Sequence, residues 1–128
     1  MELSDEVTEA NVLALIMNSK NRDVVADVFA RIKPDFFYLK SNRDLFLLLE
    51  DCFIEGIETT HKAVDTYHKK ELMEIVPKLK TSIVQMALGF NQLNFEKAMM
   101  NESEDIVGLL ADKLRIKKQM RDLLAIQT

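Results

Sequence analysis

The chain has 128 residues and a formal net charge of −4, from 17 basic and 21 acidic side chains. This length predicts one domain, because domains usually hold roughly 100–200 residues, and the single cysteine, Cys52, excludes an internal disulfide. The composition, with 48% hydrophobic and 30% charged residues and only three glycines, indicates a helical globular domain and excludes collagen-like and disordered classes. No basic-then-apolar leader opens the sequence, so we expect a cytoplasmic protein.

Two short helices are predicted at the start of the chain. The first covers about residues 5–17, with Ser4 as its N-cap and acidic side chains near the positive end of its dipole. The second covers about residues 22–31, where apolar residues recur at the spacing of one helix face. Pro34 then marks the end of this helix or the start of a new segment. The aromatic residues 36–38 that follow are assigned to the core rather than to base stacking.

A third helix is predicted over about residues 42–55, and it is the most hydrophobic of the chain. Ser41 is its predicted N-cap, and Gly56 stands where a residue in the left-handed conformation is favoured at a helix C-terminus. Apolar residues cover most of the circumference of this helix, so we expect it to be the central, buried helix of the fold.

The middle of the chain carries weaker signals. After a polar connection, a fourth helix is predicted up to about Val76, and Pro77 marks a break or the start of a fifth helix that ends near Gly89. Residues 90–102 contain apolar side chains with a poor helical period, and we interpret them as a short helix or an ordered connection.

The last helix has the clearest pattern, and it is predicted to begin after residue 101 or 103. Six of its residues recur at alternating three- and four-residue steps, which is typical of a helix that pairs with another helix. This self-association seam consists of Ile106, Leu109, Lys113, Ile116, Met120 and Leu123. With about 22 residues, the last helix is roughly 33 Å long, which is longer than a compact helical head needs. We therefore expect this helix to pair with a helix from outside this chain. Gly108 costs about 1 kcal/mol relative to alanine unless another backbone approaches closely there.

Signals of catalysis and of metal binding are absent from the sequence. The three glycines lie far apart and none precedes Lys-Ser or Lys-Thr, so there is no phosphate-binding loop. His61 and His68 stand seven residues apart, roughly 10 Å along a helix, which is too far for shared metal ligation. Cys52 lies in the most apolar helix and is interpreted as a buried hydrophobic residue rather than a nucleophile. We therefore predict a non-catalytic chain with no cofactor and no metal.

The charges favour protein partners over nucleic acid. Residues 1–60 carry six basic and twelve acidic groups, whereas residues 61–128 carry eleven basic and nine acidic groups. Neither half has the clustered cations that phosphate-driven binding needs. Lys117, Lys118 and Arg121 form a small basic cluster, which we assign to a favourable interaction with the helix dipole.

Several short segments, in this order, resemble the N-terminal domain of DnaB-type replicative helicases. They are Thr8-Glu9-Ala10-Asn11-Val12-Leu13, Pro34-Asp35-Phe36-Phe37-Tyr38, Arg43 with Leu45 and Phe46, Gly56, and the run from Ile106 to Lys117. In that family an E-x-x-V-L helix precedes a D-F-Y segment, an H-R-x-I-F helix and a terminal glycine. The family-like core positions are Val12, Leu13, Phe37, Tyr38, Phe46 and Gly56.

The sequence also departs from the family pattern. Asn42 stands in place of the histidine of the family's H-R-x-I-F helix. Ile106 stands in place of the tyrosine that opens the family run to which residues 106–117 are similar. No counterpart of the family's G-G-x-x-Y-L stretch is found near residues 75–85. These departures indicate a divergent member of the family and suggest a phage-encoded one.

The resemblance implies an all-α fold in two parts. A compact helical head of about five helices, residues 1–100, precedes the first helix of a dimerisation hairpin, residues 101–128. The resemblance also implies an assembly and docking domain, whose paired hairpins form a trimer-of-dimers collar on a hexameric helicase and bind primase and helicase loaders. In the family a separate RecA-like domain performs ATP-driven unwinding, so strong direct DNA binding is not expected of this chain. The longest apolar stretch, residues 12–17, is much shorter than the roughly 20 residues that span a bilayer, so membrane association is not expected either.

Two alternatives remain open at this point. One is a stand-alone, phage-encoded protein that mimics this domain and regulates a replicative helicase, a loader or a primase. The other is a small helical DNA-binding regulator, which would show salt-sensitive DNA binding.

Overall fold

The structure is a computed structural model, and it describes the backbone of residues 2–99 and 105–127 and the side chains of residues 2–94 and 105–126. In chain order the described elements are α1 (Glu6–Asn18), α2 (Arg22–Arg31), a first 3₁₀ turn (Pro34–Phe36), α3 (Lys40–Ile54), α4 (His61–Tyr67), α5 (Lys69–Ile75), a second 3₁₀ turn (Val76–Lys78), α6 (Ile83–Met99) and α7 (Ile106–Gln127). The predicted all-α class with a long last helix is confirmed, and six α-helices precede that helix within the described residues rather than about five. None of the helices in this part of the chain is both long enough and apolar enough to cross a membrane.

α1 lies at the centre of the fold, and the prediction that gave this place to the third helix was wrong. Every residue from Thr8 to Met17 is buried, whereas α3 leaves Leu47, Asp51 and Ile54 exposed along one face. The reason is the number of neighbours, because α1 contacts α2, α3, α6 and α7 and is covered on all sides. The fold provides no such cover for the whole apolar circumference of α3.

The N-caps of α1 and α3 differ from the predicted ones, whereas the bounds of α2 do not. α2 has the predicted bounds. α1 is capped by Asp5 rather than by Ser4, because the Asp5 carboxylate accepts hydrogen bonds from the Thr8 amide at 3.0 Å and from the Thr8 hydroxyl at 2.6 Å. α3 begins at Lys40, ahead of the predicted cap Ser41, and no side chain at its N-cap position bonds the first turn.

The cap of α3 comes instead from Glu9 on α1, which is fully buried. Its carboxylate accepts hydrogen bonds from the amides of Tyr38 at 2.9 Å and Leu39 at 3.4 Å, and another from Nδ2 of Asn42 at 2.9 Å. Amides at a helix start lack partners within the helix and carry partial positive charge, so they stabilise a carboxylate there. Because a buried charge without partners is strongly destabilising, Glu9 fixes the start of α3 against α1.

An aromatic cluster fills the space between α2, α3 and the first 3₁₀ turn. The centre of the Phe46 ring lies 5.2 Å from that of Phe29 and 4.8 Å from that of Phe37, in edge-on and tilted arrangements that favour aromatic pairs. Tyr38 was also predicted to join the core, but it is 50% exposed. Successive residues of an extended chain point to opposite sides, and in this stretch Phe37 takes the inward position.

The middle of the chain differs from the prediction in its breaks. The predicted fourth helix is two helices, because the chain bends at His68 between α4 and α5. The predicted fifth helix starts later, at Ile83, and Pro77 lies in the second 3₁₀ turn. α6 continues through most of the segment predicted as a short helix or connection, whose residues 100–102 lie outside the described residues. Gly56 has a φ of 81°, the left-handed conformation predicted after the third helix.

Replacing the carboxylate of Glu9 should destabilise the fold more than replacing an exposed carboxylate. Glu9→Gln replaces one of the two carboxylate oxygens by an NH2 group, which faces the backbone N–H of either Tyr38 or Leu39 and cannot accept its hydrogen bond. We therefore expect the free energy of unfolding to fall by about 1–3 kcal/mol. Urea denaturation followed by circular dichroism measures this change. Glu58→Gln, at an exposed position, is the matched control and should change stability by less than about 0.5 kcal/mol. Equal effects of the two substitutions would contradict the capping role.

Candidate functional site

α7 has two faces that lie in different environments. It packs against α1, α2 and the first 3₁₀ turn, and the face toward these elements is buried at Val107, Leu110 and Leu114. Lys117 and Arg121 continue the same three- and four-residue spacing further along the helix. We call these five residues the head-facing stripe.

The self-association seam lies beside the head-facing stripe, one residue earlier at each step, which is a rotation of about 100° around the helix. The seam residues that are covered or partly covered are Ile106, Leu109 and Met120. The seam residues that are exposed are Lys113, Ile116, at 50%, and Leu123, at 59%. The last helix thus has a partner within the chain for its head-facing stripe, contrary to the expectation, while Ile116 and Leu123, on either side of the partly covered Met120, stay exposed.

The start of α7 is tied to α2 by an ion pair. Asp105 caps α7 by accepting a hydrogen bond from the Gly108 amide at 3.0 Å, and its carboxylate also binds Nη1 of Arg31 at 2.6 Å. Arg31 pairs in addition with Asp27, one turn earlier on α2, at 3.3 Å. A Cβ added to Gly108 would collide with the Arg31 guanidinium and lie 2.6 Å from the Asp105 carboxylate. The atoms closest to Gly108 therefore belong to the ends of two side chains and not to another backbone.

The same contact shifts two pKa values. The Gly108 amide first, and the Arg31 guanidinium second, lower the pKa of Asp105 below its ordinary value. The hydrogen bond to Asp105 raises the pKa of Arg31. Both shifts favour the charged forms, so the pair is ionised at neutral pH.

The far half of α7 is held by cations that bind backbone carbonyl groups. Arg121 donates a hydrogen bond to the carbonyl of Leu3 at 2.8 Å and another to that of Phe36 at 3.0 Å. Lys117 donates to the carbonyl of Glu2 at 2.8 Å. These two side chains therefore fasten α7 to the N-terminal segment and to the first 3₁₀ turn, a role that the assignment to the helix dipole missed.

The sequence held a signal for this role. Lys117 and Arg121 fall on an otherwise apolar stripe, and a cation that faces the body of a protein needs an oxygen partner. The third member of the basic cluster, Lys118, pairs with Asp122 on the same helix at 2.6 Å. All three cations of the cluster thus have partners within this protein.

The other residues singled out in the sequence lie in the core or on the surface. Of the six family-like core positions, Val12, Leu13, Phe37 and Phe46 are buried, whereas Tyr38 and Gly56 are exposed. Cys52 is fully buried, and burial raises the pKa of its thiol to about 11, which suits a packing residue rather than a nucleophile. His68 binds Glu55 at 3.0 Å, whereas His61 is exposed. Across the described part of the chain, no group of three or more His, Cys, Asp or Glu side chains could hold a metal ion.

One family of known proteins matches the chain. The family model described as the DnaB-like helicase N-terminal domain matches residues 2–88, about two thirds of the sequence. The chain belongs to this family. No curated protein and no solved structure gives a match. The matched part of this DnaB-like domain runs from the N-terminal segment into α6, so α7 and its two faces lie beyond it.

The Asp105 carboxyl group should titrate below its ordinary pKa of about 3.9. Because its pKa is lowered in the folded state, its contribution to stability is present above the pKa of the unfolded chain and is lost as the pH falls through the folded pKa. An NMR titration of the side-chain carbonyl carbon measures this pKa. Arg31→Ala should raise it part of the way toward the ordinary value, since the Gly108 amide remains, and Lys33→Ala should leave it unchanged. An unchanged pKa in Arg31→Ala would contradict the ion pair.

Removing the Arg121 guanidinium should loosen the far half of α7. Arg121→Ala deletes the bonds to the carbonyls of Leu3 and Phe36, so we expect stability to fall by about 1–2 kcal/mol and amide exchange to quicken in α7. Hydrogen-deuterium exchange read by mass spectrometry measures the second effect. Arg115→Ala, which breaks only an exposed pair with Asp112, is the control and should cost less than about 0.5 kcal/mol. Unchanged exchange in Arg121→Ala would show that its contacts do not hold the helix.

Proposed function

We propose that this DnaB-like domain is a non-catalytic assembly and docking domain of a replicative DNA helicase. It pairs with a second copy through the self-association seam, and in a hexamer such pairs form a trimer of dimers. It binds primase or a helicase loader during DNA replication in the cytoplasm. The observation that carries the proposal is that Ile116 and Leu123 of the seam stay exposed on a helix that is fastened to the head near both ends.

Exposed apolar side chains at regular spacing on a fixed helix favour pairing with another helix. Apolar surface removed from water contributes roughly 25 cal/mol per Å², and alternating three- and four-residue steps let side chains interlock across a helix pair. The contacts of Arg31 and Arg121 orient the seam before a partner binds, which lowers the ordering cost of association. Lys113 is the polar member of the seam, and such a residue weakens a helix pair but favours one register.

Docking of a protein partner is supported by the acidic excess of residues 1–60. Exposed carboxylates in this half include Glu2, Asp23 and Asp51. A surface with an excess of one charge steers a partner of the opposite charge and speeds its association. We therefore infer that the primase or loader presents basic residues to this half, and that its binding weakens as the salt concentration rises.

Self-association should depend on the apolar side chain of Ile116. A charge placed at the centre of the seam would have to lose water when two copies pair, so we expect Ile116→Asp to weaken association by about tenfold or more. Sedimentation velocity at rising protein concentration measures the association constant. Val84→Asp, at an apolar residue of α6 that is 69% exposed and outside the seam, is the matched control and should associate like the unchanged chain.

Two outcomes would contradict this part of the proposal. One is a chain that stays monomeric at near-millimolar concentration, and the other is an equal loss of association in both variants. The downstream reading frame separates a helicase domain from a stand-alone mimic, because a phosphate loop encoded after Thr128 identifies a helicase and a stop codon identifies the mimic.

A further inference from the structure

An open groove lies between α4 and the end of α5, on a part of the surface that includes none of the seam residues. It has a volume of about 290 Å³ and is lined by His61, Asp65, Leu72, Met73, Val76 and Pro77. Leu72 forms part of the buried core, whereas Met73 is 61% exposed and Val76 is 40% exposed. The groove thus combines a fixed apolar base with exposed apolar walls, and its size suits one or two apolar side chains of a partner.

The groove exists because the chain bends at His68 between two short helices. The His68 ring at this bend forms a hydrogen bond with the carboxylate of Glu55 at the end of α3, at 3.0 Å. At the other end, Pro77 lies in the 3₁₀ turn that closes α5. A side-chain contact with α3 therefore fixes the bend before a partner binds, which lowers the ordering cost of binding.

Within the described residues, the lysines of α4 and α5 have no partners. Lys62, Lys69 and Lys70 are exposed, and within the described residues their ammonium groups make no ion pair and no hydrogen bond. Elsewhere, Lys40 and Lys80 bind carboxylates at 2.8 and 2.9 Å. Residues 61–79 carry four basic and three acidic groups, so the chain around the groove has a small excess of positive charge in a protein that is acidic as a whole.

We propose that this groove docks a short amphipathic segment of a partner protein that carries acidic residues beside large apolar ones. The apolar side chains enter the groove against Leu72, Met73 and Val76, where a few buried anchors supply most of the affinity. The acidic side chains meet the free lysines of α4 and α5, which supply orientation and a faster association. A nucleic acid fits less well, because four of the six residues that line the groove are apolar and none of them is an arginine.

This inference is independent of the seam and of the acidic half, and it is tested by selecting peptides on the full chain. A display library of random peptides of about 12 residues is selected against the immobilised chain, and the enriched peptides are synthesised. We expect sequences with Asp or Glu beside Leu, Ile, Met or Phe, whose binding shifts amide NMR signals of residues 61–78. We expect the affinity to fall steeply as the salt concentration rises.

Matched variants assign the binding to the groove. Met73→Glu should weaken the selected peptides by about tenfold or more, whereas Val84→Glu on α6 should not change their affinity. The double variant Lys62→Glu with Lys69→Glu should weaken them in the same way, and Lys33→Glu should have no such effect. Ile116→Asp should leave peptide binding intact, so that failure of the seam and failure of the groove are told apart.

Three results would overturn the proposal. The first is that no enriched peptide shifts the signals of residues 61–78. The second is that Met73→Glu and Val84→Glu bind the peptides equally well while both remain folded by circular dichroism. The third is that an oligothymidylate displaces the peptides and produces the same shifts, which would identify a single-stranded nucleic acid as the ligand class.

Discussion

A carboxylate buried at the start of a helix, that of Glu9 against α3, sets the positions of the elements around it. It needs the amides of Tyr38 and Leu39 and the side chain of Asn42, and a buried charge tolerates little displacement from such partners. The chain between the first 3₁₀ turn and α3 therefore has one position relative to α1. The Phe36 carbonyl just before it is the group that Arg121 binds. Through these two steps, a carboxylate on the first helix locates the last one.

The attachment of α7 combines two kinds of interaction with different consequences. Burial of Val107, Leu110 and Leu114 holds the helix against the head, but burial of apolar area is not directional. The contacts of Asp105 with Arg31 and of Arg121 with the carbonyl groups are directional, and they lie near opposite ends of the helix. Rotation of α7 by one residue would break both of them. The polar contacts therefore decide which apolar stripe faces the head and which stays exposed.

Local signals were sufficient to predict much of the fold. The bounds of α2 follow from its spacing of apolar residues, and the left-handed Gly56 follows from its place after an apolar helix. Features set by distant residues could not be predicted in this way. Glutamate usually lies on the surface, so the sequence places Glu9 there. In the structure, the start of α3 packs against Glu9, and its carboxylate becomes a buried cap. The same limit applies to α1, whose central place depends on four neighbouring helices.

In the candidate site, too, the sequence alone could not predict which face of α7 packs against the head. The stripe that begins at Ile106 and the one that begins at Val107 both follow three- and four-residue steps, so periodicity cannot choose between them. The stripe that ends with Lys117 and Arg121 is the more polar of the two in sequence. It nevertheless faces the head, because its cations donate hydrogen bonds to backbone carbonyl groups of other segments.

Whether a charged side chain of this domain can attract a partner protein therefore depends on its contacts within the structure, and not on how many like charges lie near it in the sequence. The densest basic cluster, Lys117, Lys118 and Arg121, is engaged with oxygen atoms of the protein itself. The sparser lysines of α4 and α5 are exposed, and none of them binds a carboxylate within the described residues. A free ammonium group keeps its full capacity to attract an anion, whereas a paired one has already used it. Cations open to an outside partner are thus found on α4 and α5 rather than in the densest basic cluster of the sequence.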